Sequence, residues 1–219
     1  FGFIGYASWS QPDEQGHSLL QRFAKVFEQT YTRFLDFQKA EAQAREAQIE
    51  AALERVRSRS MAMHRSDELS IIVGTLYKEM EPFGFSKWAC SLNLFNEKTQ
   101  NIEVWVKDIS DTDHQRCYYW YGRDNESINE LWLAWEAKVP TKTFHFKGEK
   151  KRALDNYLFE KTDYGKFPTE VKNQIRSTDE VYFNLAYFKF GYLVATDYEE
   201  LSTESIELLQ RFAKVFEQT

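Results

Sequence analysis

The spacing of apolar residues changes character twice along this chain. From about His17, the bulky residues Leu20, Phe23, Phe27, Tyr31 and Phe34 recur at intervals of three and four, the period of a helix with one apolar face. Helical signals then continue almost unbroken to Glu81, where Pro82 and Gly84 stop them. The middle of this run, Lys39 to Arg59, consists of Ala, Glu, Gln and Arg, all strong helix formers. There Leu35, Ala42, Ile49, Val56 and Met63 fall at seven-residue spacing, but Gln38, Arg45, Ala52 and Arg59 occupy the companion positions. The seam is half apolar, which predicts a marginal coiled coil and a parallel homodimer of modest affinity. Ahead of the helix, Phe1 to Trp9 reads as a strand and Gln11 to Glu14 as a loop.

After Pro82 the period falls to two. Trp88, Cys90, Leu92 and Leu94 alternate with Lys87, Ala89, Ser91 and Asn93, and a turn at Asn96–Thr99 leads into Ile102, Val104 and Val106. Further strands are expected at Gln115–Tyr121, Thr141–Lys147, Glu180–Tyr187 and Phe190–Thr196, the last two joined by a turn at Lys189. Helices are expected at Glu126–Lys138, near Glu149–Glu160 and at Thr169–Ser177, with Ser202 capping a closing helix. This order predicts an α+β fold: an antiparallel sheet of about six strands sandwiched by helices, preceded by a long helix.

One internal repeat organises the chain. The string LLQRFAKVFEQT occurs at Leu19–Thr30 and again at Leu208–Thr219, and the register runs back without a gap to Phe1-Gly2 against Phe190-Gly191. Twelve consecutive identities do not follow from shared helix propensity. The expected organisation is therefore 1–30 as the terminal strand and helix of a preceding repeat unit, 31–65 as a helical linker, and 66–219 as a complete domain.

Composition narrows the functional classes. With 28 Lys and Arg against 34 Asp and Glu, the net charge is −6 and is spread along the chain, which argues against nucleic acid as a partner. No uncharged apolar run reaches the roughly 18 residues of a membrane span. Two cysteines make no disulfide framework, so a reducing, cytoplasmic setting is expected. No Gly-x-x-x-x-Gly-Lys or Gly-x-Gly-x-x-Gly loop is present to cradle phosphates, and no cofactor is named by any motif.

Residues that could carry chemistry are scattered. His64 is followed by Arg65 and lacks the acidic neighbour and nearby proline of a phosphoacceptor helix. Asp111, Asp113, His114 and Cys117 are metal-ligand types at a spacing that matches no paired-ligand pattern. Cys90 alternates with apolar neighbours as a small core residue would, and Cys117 with His114 is the only thiol–imidazole candidate. The aromatic load is more informative. Trp105, Tyr118, Trp120 and Tyr182 fall on expected strands beside the polar Ser91, Asn93 and Asn184. Aromatic walls with a few polar groups suit a small-molecule pocket, and these seven are the expected ligand-binding residues. The same rings also suit plain core filling.

The order of elements from about Ser66 to Thr219 resembles a GAF domain, a sensory module of bacterial signalling proteins. The segment from Gln38-Lys39-Ala40-Glu41-Ala42 through Leu53-Glu54-Arg55-Val56-Arg57-Ser58-Arg59 to Met61-Ala62-Met63-His64 is similar to linkers between tandem GAF-like units in Bacteroidetes-type sensors. Such parents commonly end in a histidine kinase or nucleotide cyclase output domain. The Asn-Lys-Phe-Asp-Glu string of cyclic-nucleotide-binding members and the Cys-His dipeptide of bilin-binding members are absent. The resemblance implies a non-enzymatic sensory and relay module with an unnamed ligand. The competing expectation is a purely structural dimerisation spacer, and an enzyme using Cys117 and His114 is a third.

Overall fold

The computed structural model describes residues 2–7, 9, 13–63, 68–85, 89–107 and 115–217. Two helices open the chain, α1 at Glu14–Met61 and α2 at Leu69–Met80. They are followed by β1 (Ala89–Asn96), β2 (Asn101–Lys107), β3 (Gln115–Trp120) and α3 (Glu126–Glu136). Then come β4 (Thr141–Lys147), α4 (Gly148–Lys161), α5 (Thr169–Ser177), β5 (Glu180–Phe188), β6 (Gly191–Asp197) and α6 (Thr203–Val215). This is an α+β fold, as the change of period predicts. Contacts divide it into two compact units, Phe1–Ala51 and Ala52–Thr219.

Two expectations about the N-terminal part need correction. The helix is not continuous to Glu81: α1 ends at Met61, and its ladder closes with a tighter bond from Met63 N to Ser60 O at 3.2 Å. Ser58 and Ser60 stand in the last turn, and serine side chains compete with backbone hydrogen bonds inside helices. Residues 2–7 form no strand and lie exposed, because a strand's hydrogen bonds need a neighbouring chain. His64, Trp88, Asp111, Asp113 and His114 lie outside the described residues.

Among the described residues the sheet has six antiparallel strands in the order β3-β2-β1-β6-β5-β4. Chain-distant β1 and β6 thus pair at its centre, with Leu92 opposite Leu193. Backbones meet closely there. A Cβ on Gly191 would sit 1.8 Å from Asn93 O, so only glycine fits. The equivalent Gly2 meets nothing within 4 Å.

Strand parity sorts the side chains onto two faces. One face carries Ile102, Val104, Trp120, Phe144, Phe146, Val181, Leu185, Tyr192 and Val194, packed with Ile128, Leu131 and Trp132 of α3 and Leu154 and Leu158 of α4. The opposite face carries Leu92, Ala186, Phe188 and Leu193, all buried. There α6 lies against β5 and β6, with the rings of Phe188 and Phe216 5.7 Å apart. Helices on both sheet faces exclude water from two apolar layers, which is the main stabilising term. No helix among the described residues is long and apolar enough to cross a membrane.

Candidate functional site

A cavity of about 1100 Å³ lies within the second unit, on the α3–α5 side of the sheet. It continues past the end of the sheet where β1 begins and β2 and β6 end, reaching Ile71, Gly74 and Thr75 of α2. Its wall is largely apolar, with Leu131, Leu158, Val181, Leu185 and Val194 contributing. That volume lies slightly above the usual range for small-molecule sites, roughly 300–1,000 Å³.

Helix α4 supplies the charged part of the wall. Lys151, Leu154, Asp155 and Leu158 share one helix face by their three- and four-residue spacing, and all four are buried. Lys151 Nζ donates to Asp155 Oδ2 at 2.5 Å and to Ile175 O, in the last turn of α5, at 2.6 Å. Burial pushes the Asp155 carboxyl above its ordinary range, against the opposing hydrogen bond and charge of Lys151. A buried ion pair gains little net stability over apolar residues of the same size, so stability alone does not explain a charge in this wall.

Two residues of the lining, Tyr192 and Trp120, each carry a buried polar atom that is left unsatisfied. Tyr192 Oη and Trp120 Nε1 are buried and have no hydrogen-bond partner among the described residues. Each such group costs about 1–3 kcal/mol when left dry and unpaired. Trp120 stands edge-on to Tyr164 at 5.4 Å, and Tyr164 in turn packs edge-on to Tyr118 at 5.7 Å.

The seven residues expected from sequence do not form one cluster. Ser91, Asn93, Tyr118 and Trp120 lie on the cavity-side face by register, and Ser91 and Trp120 line the cavity itself. Asn93 Nδ2 donates to Ser91 Oγ at 2.9 Å, tying these two polar groups to each other. Tyr118 packs with Phe167 and Val171. Trp105, Tyr182 and Asn184 have the opposite parity and point to the other face. There Asn184 is fully buried and satisfied: Thr143 Oγ1 donates to its Oδ1 at 3.0 Å. Tyr182 stacks on the exposed His145, 4.1 Å between centroids.

Lys151, Asp155, Tyr164 and Tyr192 belong to the cavity and were not singled out by the sequence reading. For the first two a signal existed: an oppositely charged i,i+4 pair set inside the apolar stripe of α4. Tyr192 shares the parity of Val194, two residues on in β6.

The thiols are chemically quiet. Burial pushes Cys117 up to about 11 and Cys90 up to about 12, so both are protonated at neutral pH. No group of three or more metal-ligating side chains gathers among the described residues. Comparison with protein families, with curated proteins and with solved structures gives no match for this chain.

Proposed function

We propose that this chain is a sensory and signal-relay module that takes up a small, largely apolar molecule in the cavity beside α3, α4 and α5. The observation that carries the reading is the cavity itself: about 1100 Å³, walled largely by apolar side chains, with the buried Lys151–Asp155 pair among its lining residues. An apolar-walled recess of this size is what a small-molecule site presents, and a spacer has no use for one. The sheet with helices on both faces is compatible with the GAF-like resemblance and supports the same reading.

In this proposal binding is the activity, without turnover, and α1 carries the response in a homodimer to an output domain of a bacterial, cytoplasmic parent. The exposed apolar residues Phe27, Tyr31, Phe34 and Leu35 on α1 support a helical partner. Residues 1–30 belong to a preceding unit of a tandem array, supported by the identity of Leu19–Thr30 with Leu208–Thr219.

Thermal unfolding tests the ligand. A metabolite pool containing the ligand raises the melting temperature, since a compound that binds only the folded state stabilises it. Val194→Trp fills part of the cavity and removes that rise while the chain stays folded. An undiminished rise in Val194→Trp, or none with any pool in the unaltered chain, overturns the reading.

A further inference from the structure

We infer that Leu19–Phe27 of α1 is a docking element for a second copy of this chain, and that the surface it takes is the seat of α6 on β5 and β6. This extends the tandem-array part of the proposed function and is independent of the ligand.

The molecule holds two helices cut to one seat. In α6, Leu208, Phe212, Val215 and Phe216 are buried. The helix lies against β5 and β6, with the Phe212 ring 6.1 Å from that of Phe83 and the Phe216 ring 5.7 Å from that of Phe188. Leu19, Phe23, Val26 and Phe27 repeat those four residues at the same spacing and are all exposed. The polar positions repeat too: Gln21, Arg22, Lys25 and Glu28 stand for Gln210, Arg211, Lys214 and Glu217. Identical side chains on one helical period make the contacts that α6 makes, so every copy of the chain already carries a surface complementary to the exposed face.

A swap needs only the helix to move. Residues 198–202, which join β6 to α6, are mostly exposed, so α6 can leave its seat while β6 stays paired. What opposes the swap is the tether: a short link holds α6 at an effective concentration on the order of 1 mM. With like contacts on both sides, the helix of a second copy wins the seat only near that concentration. Weakening α6 alone shifts the balance, because the incoming helix keeps every contact. Loss of a buried ring is worth a factor of roughly thirty or more, which brings the crossover down to the order of tens of micromolar.

The test is hydrogen exchange of the full chain carrying Phe216→Ala, read by mass spectrometry at low and at high micromolar concentration. The substitution makes the two helical peptides differ in mass, so each is followed separately. Raising the concentration slows amide exchange across Leu19–Phe27 by at least about ten-fold and speeds it across Leu208–Val215. Adding Phe23→Ala and Phe27→Ala to the same chain abolishes both changes. Phe216→Leu keeps an apolar side chain and gives the same reciprocal change, about two-fold or more, should the alanine variant fail to fold. Protection gained across Tyr31–Met61 with none at Leu19–Phe27 overturns the swap and leaves the helical homodimer of the proposed function standing. Amide exchange across Leu19–Phe27 that ignores concentration overturns it as well, and so does protection that survives Phe23→Ala and Phe27→Ala.

Discussion

The same twelve residues occupy two environments in this molecule, and the difference separates what is local in a fold from what is not. At Leu19–Thr30 and at Leu208–Thr219 the string is identical, and the described residues of both copies begin as helix. Both copies start it the same way. Asp13 Oδ1 accepts from Gly16 N at 2.8 Å, and Ser202 Oγ accepts from Ser205 N at 3.2 Å, at equivalent positions with different side chains. The backbone bonds from His17 N to Asp13 O and from Ile206 N to Ser202 O repeat as well. Burial diverges completely. Phe23 is 60% exposed and its twin Phe212 0%; Phe27 is 67% exposed and Phe216 6%.

The segments upstream sharpen the contrast. Gly191–Asp197 forms β6 at the centre of the sheet, whereas residues 2–7 form no strand. A helix satisfies its hydrogen bonds within itself, so copying the sequence copies the helix. A strand takes its bonds from neighbours, which residues 2–7 lack among the described residues, and this segment is also a poorer strand former, with Gly5 standing where β6 has Val194.

The largest effect should come from the paired phenylalanines. Phe212→Ala costs about 3–5 kcal/mol, because it empties a fully buried site, while Phe23→Ala changes stability by less than about 0.5 kcal/mol. Urea unfolding followed by circular dichroism measures both. Equal losses would mean that the first copy is buried in solution and would erase the contrast.

Next comes acid. Burial opposes ionisation of Asp163, but hydrogen bonds from Lys166, Tyr121 Oη and the Tyr119 amide outweigh it and hold the carboxyl below its ordinary range. A carboxyl lowered on folding contributes stability above its unfolded pKa, and that contribution is lost as pH falls through the folded one. The second unit should therefore weaken below about pH 4, where an ordinary aspartate begins to protonate. Asp163→Ala costs about 1 kcal/mol at neutral pH, since Lys166 and Tyr121 are exposed enough for water to take over their hydrogen bonds, and flattens the acid limb. A variant with an unchanged acid limb would show that other carboxylates govern it.

The caps give the smallest and most discriminating effect. Ser202→Ala and Asp13→Ala each remove about 1 kcal/mol from a helix start. Only Ser202→Ala should shift global unfolding, while Asp13→Ala should speed amide exchange at Gly16 and His17 alone. A global shift from Asp13→Ala would join the first copy to the cooperative core.

The same division explains what could be read from sequence. The strands at Thr141–Lys147 and α5 at Thr169–Ser177 carry period and turn signals strong enough to fix their ends. The break after Met61 was hidden, because Met61, Ala62 and Met63 are good helix formers and no proline or glycine marks it. For the site, sequence offered residue types but not faces. Trp105 and Trp120 both read as strand aromatics, yet their parity on adjacent strands puts them on opposite sides, since Ile102 and not Trp105 shares Trp120's face. Pairing register is a property of two strands, and neither alone states it. Lys151 escaped for another reason: one lysine in a charged helix reads as surface, and its burial depends on α5 folding over it.

The twin glycines turn this history into an instrument. At position 191 any side chain collides with the Asn93 carbonyl, whereas at position 2 there is open space. A cysteine at position 2 carrying a bulky dye is therefore harmless as long as that segment stays out of a sheet, and incompatible with the place its twin occupies. Attached to a longer parent, such a label would act as a lock-out key: an assembly that still forms with the dye in place does not use this segment as β6 is used, and one that is blocked by it does.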